Sequence, residues 1–208
     1  VAIQLNDTHP VLAIPELMRV LMDDYEYTWE EAQNITLHTI SYTNHTVMQE
    51  ALETWPIDYI RRLLPRIYMI IEEIDNRVST LISRLYPDKF YMVGRVRPIS
   101  NGVVHMARLA VIYSHSVNGV AEIHSEILKN DLFRDYYRIW PERFSNKTNG
   151  ITPRRWFLYA NPELKTMVDN LIGPSYETNF NELNNLLQYV DDEKVQREFL
   201  EVKAKRKE

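Results

Sequence analysis

The stretch Asn146-Lys-Thr-Asn-Gly-Ile-Thr-Pro-Arg-Arg-Trp156 separates two kinds of sequence. Before it, short β-branched runs alternate with helical patterns; after it, every recognisable pattern is helical. Asn149-Gly150 is a turn dipeptide, because both residues tolerate positive φ at little steric cost. Thr152-Pro153 reads as a helix start, a hydroxyl cap followed by proline at the first helical position. The backbone is therefore expected to turn sharply at Asn149 and leave in a helix carrying Arg154, Arg155 and Trp156. Such a corner presents an amide side chain and free backbone N–H groups, which suit a polar or anionic ligand. An ordinary capped loop has the same local chemistry. A domain crossover is placed near Thr148.

Upstream, Val1 to Leu5 is a short apolar run that fits an interior parallel strand. Asn6-Asp7-Thr8-His9-Pro10 is then the loop at its carboxyl end, where α/β sheets gather ligands. Asp7 and His9 are close enough to share a pocket, or Asp7 caps the next helix. No third ligand at recognisable spacing makes them a metal pair. Pro15 to Asp24 carries Leu17, Val20 and Leu21 on one helical face, and Thr28-x-x-Glu31 is a capping box that opens a second helix. Thr39 to Thr43 is rich in β-branched and aromatic residues and reads as another strand. It delivers Asn44-His45-Thr46 beside the first loop, so His45 is either a site residue or a structural histidine. Glu53 and Trp55 follow on a loop closed by Pro56.

From Ile67 to Leu85 the apolar positions Ile67, Ile70, Ile71, Ile74, Val78, Leu81, Ile82 and Leu85 keep helical spacing. Each one fully buried contributes roughly 1.5–3 kcal/mol of transfer free energy, which makes this helix a core pillar without chemistry of its own. Pro87 to Ser100 reads as an exposed connection and Val103 to Ser116 as a helix. His115-Ser116 is a polar corner rather than a nucleophile pair, because adjacent side chains diverge and no orienting acid is in register. Asn118-Gly119 is a break before a helix from Val120 to Lys129. Downstream, Asn161-Pro162-Glu163 starts a helix that stops at Gly173, and Glu182 to Val190 and Asp191 to Lys207 continue as helices.

With 208 residues the chain holds one good core or two small ones. A net charge of -5, with positive residues scattered apart from Lys203 to Lys207, argues against a nucleic-acid surface. Cysteine is absent, which excludes disulfides and thiolate metal sites and suits a reducing compartment. No apolar run approaches the roughly 20 residues of a membrane span. The start on a strand-like Val-Ala-Ile and the end in a charged helix suggest an internal piece of a longer polypeptide.

Three stretches carry a resemblance to a known family: Val1–Pro10, Tyr42-Thr-Asn-His-Thr-Val47 with Glu50–Glu53 and Trp55-Pro56, and Asn146–Trp156. Shorter echoes lie at Ser114–Val120 and Ile123–Glu126. In these the chain resembles the α-glucan phosphorylases, the enzymes of glycogen, starch and maltodextrin breakdown. The resemblance implies an α/β, predominantly helical, internal piece of a two-domain Rossmann-like (GT-B type) glycosyltransferase fold. Residues 1–148 would be the carboxyl-terminal part of the amino-terminal glycosyl-binding domain, and 149–208 the start of the pyridoxal-phosphate-binding domain.

The resemblance further implies retaining phosphorolysis of α-1,4-glucans by inorganic phosphate, giving glucose 1-phosphate. It assigns the sugar 6-hydroxyl to the Asn149 amide and the backbone carbonyl of His45. Asp7 and His9 would shape the pocket floor, Glu53 would border the cavity, and Trp156 would pack on the pyridoxal phosphate ring. The Schiff-base lysine of the family lies beyond Glu208, and Lys203, Lys205 and Lys207 do not match it, so this piece alone is expected to be inactive. A cytoplasmic homodimer is the family expectation, without nucleic acid or membrane. A non-catalytic carbohydrate-binding or assembly module, using Trp55, Tyr42 and Trp140 as stacking faces, is the second class of reading, and a purely structural scaffold the third. A joint requirement for pyridoxal phosphate and phosphate separates the first class from the second.

Overall fold

The structure is a computed structural model that describes residues 1–207. From the amino end the elements are β1 (Ile3–Asn6), α1 (Ala13–Arg19), α2 (Trp29–Thr39), β2 (Ile40–Thr43), β3 (Thr54–Pro56), α3 (Ile57–Leu63) and α4 (Pro65–Leu85). Then follow α5 (Phe90–Val96), β4 (Ile99–Ser100), β5 (Val103–His105), α6 (Met106–Ile112), β6 (Ser116–Gly119), α7 (Glu122–Ile127), α8 (Arg134–Ile139) and β7 (Phe144–Asn146). The last two helices are α9 (Pro162–Ile172) and α10 (Glu193–Lys205), with π-helical and 3-10 segments between elements. The chain is mixed α/β and mostly helical, and it divides into two compact units, Val1–Asn149 and Gly150–Glu208.

In the first unit β1, β2, β6 and β7 form one parallel sheet in that order. Parallel strands are buried on both faces, and Leu5, Ile40, Tyr42 and Val117 accordingly lie in the core. Helix α2 runs into β2 with no loop, its capping box formed: the Glu31 N–H donates to Thr28 Oγ1 and the Thr28 N–H to Glu31 Oε2. Helix α4 packs against α1, α3 and α5. Its apolar stripe is buried as the period requires, except that Leu81 is only half-buried and Leu85 at the end is 50% exposed. Asp75, on the same face, is only 2% exposed. It pairs with the Arg97 guanidinium and accepts the Ile99 N–H at 2.7 Å, so its charge is sealed with partners rather than left bare.

Several segments differ from the sequence expectation. Pro87 to Ser100 is not an exposed connection: α5 buries Met92 and Val96, because an apolar residue every fourth position suffices for one short packed helix. Val103–His105 is a strand before α6 begins, and Trp55 lies in β3 rather than on a loop; β3, β5 and β4 form a small antiparallel sheet. Asn118-Gly119 ends β6 instead of breaking the chain. A Cβ at Gly119 would lie 2.5 Å from Ser125 Oγ and 3.0 Å from Ser125 Cα, so glycine is there for the close approach of α7 to the strand, not for a turn.

In the second unit a π-helical turn, Arg154–Tyr159, precedes α9. Thr152 does not cap it through its hydroxyl; Pro153 occupies the cap position, and the Trp156 N–H takes the Thr152 carbonyl at 3.1 Å. Helix α9 ends where expected, at Gly173 with φ 77°. Lys165 bridges Asp169 at 2.7 Å and Glu177 at 2.6 Å, and the Tyr176 hydroxyl donates to Asp169 at 2.8 Å. Asp192 caps α10 by accepting from the Lys194 and Val195 N–H groups. The helices leave an apolar groove of about 460 Å³ lined by Phe157, Leu164, Met167, Leu186 and Phe199.

Candidate functional site

Three strands of the parallel sheet end in polar residues on one edge, Asn6, Thr43 and Asn146, and β6 carries Asn118 just before its last residue, Gly119. Pairing continues one step beyond the strands. The Asp7 N–H donates to Thr43 O (2.9 Å), the Asn44 N–H to Asn118 O (3.0 Å) and the Lys147 N–H to Gly119 O (3.1 Å). The Asn149 N–H donates to Val120 O at 2.8 Å. Asn149 therefore stays bonded to the neighbouring chain three residues past the end of β7, and neither it nor Gly150 has positive φ, contrary to the sharp turn that their dipeptide suggests. The backbone N–H is satisfied by the neighbouring chain, so nothing forces a turn there.

Side chains continue the cross-linking. Gln4 donates to Thr43 Oγ1 (2.7 Å), and the Thr43 hydroxyl in turn donates to Asn118 Oδ1 (2.8 Å). His45 Nε2 meets Asn6 Oδ1; an amide oxygen only accepts, so Nε2 bears the proton. The Ser125 hydroxyl lies 2.9 Å from both Ala121 O and Asn146 Oδ1, one proton between two acceptors. The structure thus brings the Asp7–His9 loop, the His45 loop and Asn149 to one sheet edge. His9, His45 and Asn149 are exposed there.

Asp7 takes φ 65° and accepts the Thr8 N–H at 2.8 Å, so it stabilises its own strained turn and does not cap α1. Glu53 spends both carboxylate oxygens locally, one on the Thr8 hydroxyl (2.9 Å) and one on Trp55 Nε1 (2.7 Å). It ties β3 to the Asp7 loop and also lines a cavity of about 500 Å³ with Arg108, Arg134 and Asp135. Trp156, in the second unit, is 56% exposed and presents a broad indole face.

Beneath the His45 loop lies a buried relay that sequence reasoning missed. Asn44 is fully buried; its Nδ2 donates to the Tyr42 hydroxyl (3.0 Å), and its Oδ1 accepts the Thr46 N–H (3.0 Å). The same oxygen lies 3.0 Å from Nε2 of His124, whose Nδ1 accepts the Val120 N–H at 3.0 Å. Burial pushes the Tyr42 hydroxyl above its ordinary range, the Asn44 contact acting against it. The signal was present in the Ile123-His-Ser-Glu126 echo, which carried no role of its own.

The aromatic residues of the binding-module reading do not form a platform. Tyr42 is buried edge-on to Phe133, and the Arg143 guanidinium covers the Trp140 ring at 4.4 Å. His115 lies 3.4 Å from the Ser41 hydroxyl and 3.1 Å from Leu37 O, contacts of a structural corner. Among the described residues no cluster of three His, Cys, Asp or Glu could hold a metal ion, and no helix is long and apolar enough to cross a membrane.

The chain is 49% identical over 208 residues to the glycogen phosphorylase of Bacillus subtilis (strain 168), which matches all of this chain and 26% of that protein. It is 48% identical over 210 residues to the muscle-form glycogen phosphorylase of Oryctolagus cuniculus, and 49% identical over 213 residues to the H-isozyme α-glucan phosphorylase of Vicia faba. Each of these matches also takes in the whole chain and 25% of the relative. The chain thus spans about a quarter of the length of the curated relatives it matches. Since the model of the family described as carbohydrate phosphorylase matches residues 1–208 from end to end, the chain belongs to the carbohydrate phosphorylase family.

Proposed function

We propose that this chain forms part of the sugar-binding wall of an α-1,4-glucan phosphorylase. In the reaction the terminal glycosidic C1–O bond breaks and a C1–O bond to inorganic phosphate forms with retention. The leaving 4-hydroxyl gains the proton that the phosphate gives up. The single observation that carries the reading is the gathering of the Asp7, His45 and Asn149 segments on one edge of a parallel sheet, in a member of this family.

In this reading the Asn149 side chain, exposed beyond the end of β7, bonds the sugar 6-hydroxyl, with the His45 carbonyl at the same end. The Asp7 carboxylate lies in the same rim of loops, where negative charge offsets positive charge developing at the anomeric carbon. Asp7 and His9 form the floor, and Glu53 braces it through Thr8. Pyridoxal phosphate, when bound, supplies a phosphate group that exchanges a proton with the substrate phosphate. Of the residues present, Trp156 fits it: an exposed indole offers a flat apolar wall to a flat heterocycle. On this reading residues 1–148 close a glycosyl-binding domain and 149–208 begin a cofactor-binding one. The segment alone does not catalyse phosphorolysis, because the cofactor's lysine belongs to a region beyond Glu208.

The test is glucose 1-phosphate release from maltoheptaose and phosphate by the full-length polypeptide, wild type against Asn149→Ala. A contact that strengthens in the transition state is worth roughly 1–3 kcal/mol, or about 5- to 150-fold in kcat/KM. An unchanged rate with pyridoxal phosphate still bound removes Asn149 from the sugar site. A wild type that binds glucan but needs neither phosphate nor cofactor replaces the enzyme reading with the binding-module one.

A further inference from the structure

One buried imidazole ties together the two segments proposed to hold the sugar. His124 Nδ1 accepts the Val120 N–H, so the single proton of the neutral ring sits on Nε2 and is donated to Asn44 Oδ1. Asn44 Oδ1 also receives the Thr46 N–H, so this one oxygen fixes the backbone on both sides of His45. On the other side, Val120 turns its carbonyl to the Asn149 N–H at 2.8 Å. A chain of hydrogen bonds, joined through the backbone of Val120, therefore runs from the His45 loop through His124 to the backbone of Asn149. Each link is 2.8–3.0 Å.

We infer that His124 is a positioning residue that sets the spacing of His45 and Asn149, and hence the enzyme's selectivity for a sugar bearing a 6-hydroxyl. This rests on the proposed sugar contacts. Both ring nitrogens are engaged within the protein and the side chain is 9% exposed, so His124 does not itself touch substrate. The backbone that carries the ring is also closely packed. Its helix, α7, is held against the end of β6 where Gly119 leaves no room for a Cβ beside Ser125. His124 cannot be replaced freely: a donor is needed toward Asn44 and an acceptor toward Val120, and the Nε2–H tautomer of histidine offers both at this separation.

The experiment uses the full-length holoenzyme in the synthetic direction, with maltoheptaose as acceptor and either glucose 1-phosphate or 6-deoxyglucose 1-phosphate as donor. Four proteins are compared with wild type: Asn149→Ala, His124→Asn, His124→Gln, and His124→Asn combined with Asn149→Ala. His124→Asn keeps an acceptor near the Nδ1 position and loses the donor toward Asn44. His124→Gln keeps a donor near Nε2 and loses the acceptor for Val120. Each single-arm variant is expected to lower kcat/KM for glucose 1-phosphate about tenfold, while the 6-deoxy donor falls less than threefold. The preference for the 6-hydroxyl thereby narrows, and His124→Asn adds little in the Asn149→Ala background. Equal losses on both donors in the two His124 variants, or full additivity with Asn149→Ala, would mean general loosening and overturn the proposal. If instead Asn149→Ala leaves the donor preference untouched, the sugar-contact reading itself fails and the inference falls with it.

Discussion

Two buried polar centres in the first unit, Asp75 with Arg97 and Asn44 with His124, solve the same problem with different chemistry. Asp75 carries a full charge in the middle of the longest helix and needs an ion partner and a backbone N–H to be tolerable. Asn44 and His124 are neutral, and each polar atom of the pair is matched donor to acceptor. A charged centre is costly to break but forgiving in angle. A neutral relay is cheaper to break but directional. The first therefore suits fastening α4 to the α5–β4 connection, and the second suits holding loops at a set spacing.

The largest expected effect tests the charged centre. Arg97→Ala leaves the Asp75 carboxylate, 2% exposed, with only the Ile99 N–H, and should destabilise the folded chain by about 3–5 kcal/mol. Asp75→Asn removes the charge together with the need for a counter-ion and should cost less than half as much. Urea unfolding of both variants decides it: equal costs would mean that packing, not the uncompensated charge, sets the penalty. Donor preference in the synthetic assay should be unchanged in either.

Gly119→Ala probes the other centre. The added Cβ must displace Ser125 backbone as well as its hydroxyl, which costs roughly 1–3 kcal/mol as overpacking. Because α7 carries His124, the shift should also narrow the preference for the 6-hydroxyl donor. A stability loss with full donor preference would show that the α7 position and the loop spacing are independent.

How far each centre could be read in the sequence follows from the range of its interactions. The α4 stripe and the Thr28-x-x-Glu31 box were legible because periodicity and capping are local. Strands β1 and β2 were legible too, and with them the polar loops at their ends. Asp75 was not, since an acid between Ile74 and Val78 is ordinarily taken for a solvated position until Arg97 is seen beside it. Strands β3, β4 and β5 have two or three residues each, too few to show an alternation, and exist through pairing such as Trp55 with Val104. Asn118-Gly119 looked like a turn because those residues favour one, yet Asn118 is held in the strand by the Thr43 hydroxyl. His124 meets Asn44 across 80 residues, a relation that no local pattern announces.

A pH titration sharpens the charged side further. Burial, and then the nearby Arg108 guanidinium, push the His105 imidazole down from 6.5 to about 4. Its Nε2 lies 2.8 Å from the Ser100 hydroxyl, which itself accepts a hydrogen bond from Arg108 Nη1 at 3.2 Å. Between pH 6.5 and 4 the unfolded chain binds a proton that the folded chain refuses. The stability present above pH 6.5 is therefore lost progressively as the pH falls toward 4. The ring is partly open to solvent, so the loss should be roughly 1–2 kcal/mol. His105→Gln should flatten that part of the stability profile; an unchanged slope would place the acid sensitivity on carboxylates elsewhere.

The smallest effect supplies the control that both centres need. Thr28→Ala removes the side-chain acceptor for the Glu31 N–H at the start of α2, a loss of about 1 kcal/mol. Helix α2 continues directly into β2, so the damage is transmitted to the strand that ends at the His45 loop, although Thr28 touches neither centre. If the His45–Asn149 spacing answered to stability alone, this variant would narrow donor preference in proportion to its lowered Tm. If the spacing depends on the His124 relay, Thr28→Ala should lower the Tm and leave the ratio of the two donors at the wild-type value. The ratio, rather than the rate, separates a weakened fold from a misplaced loop.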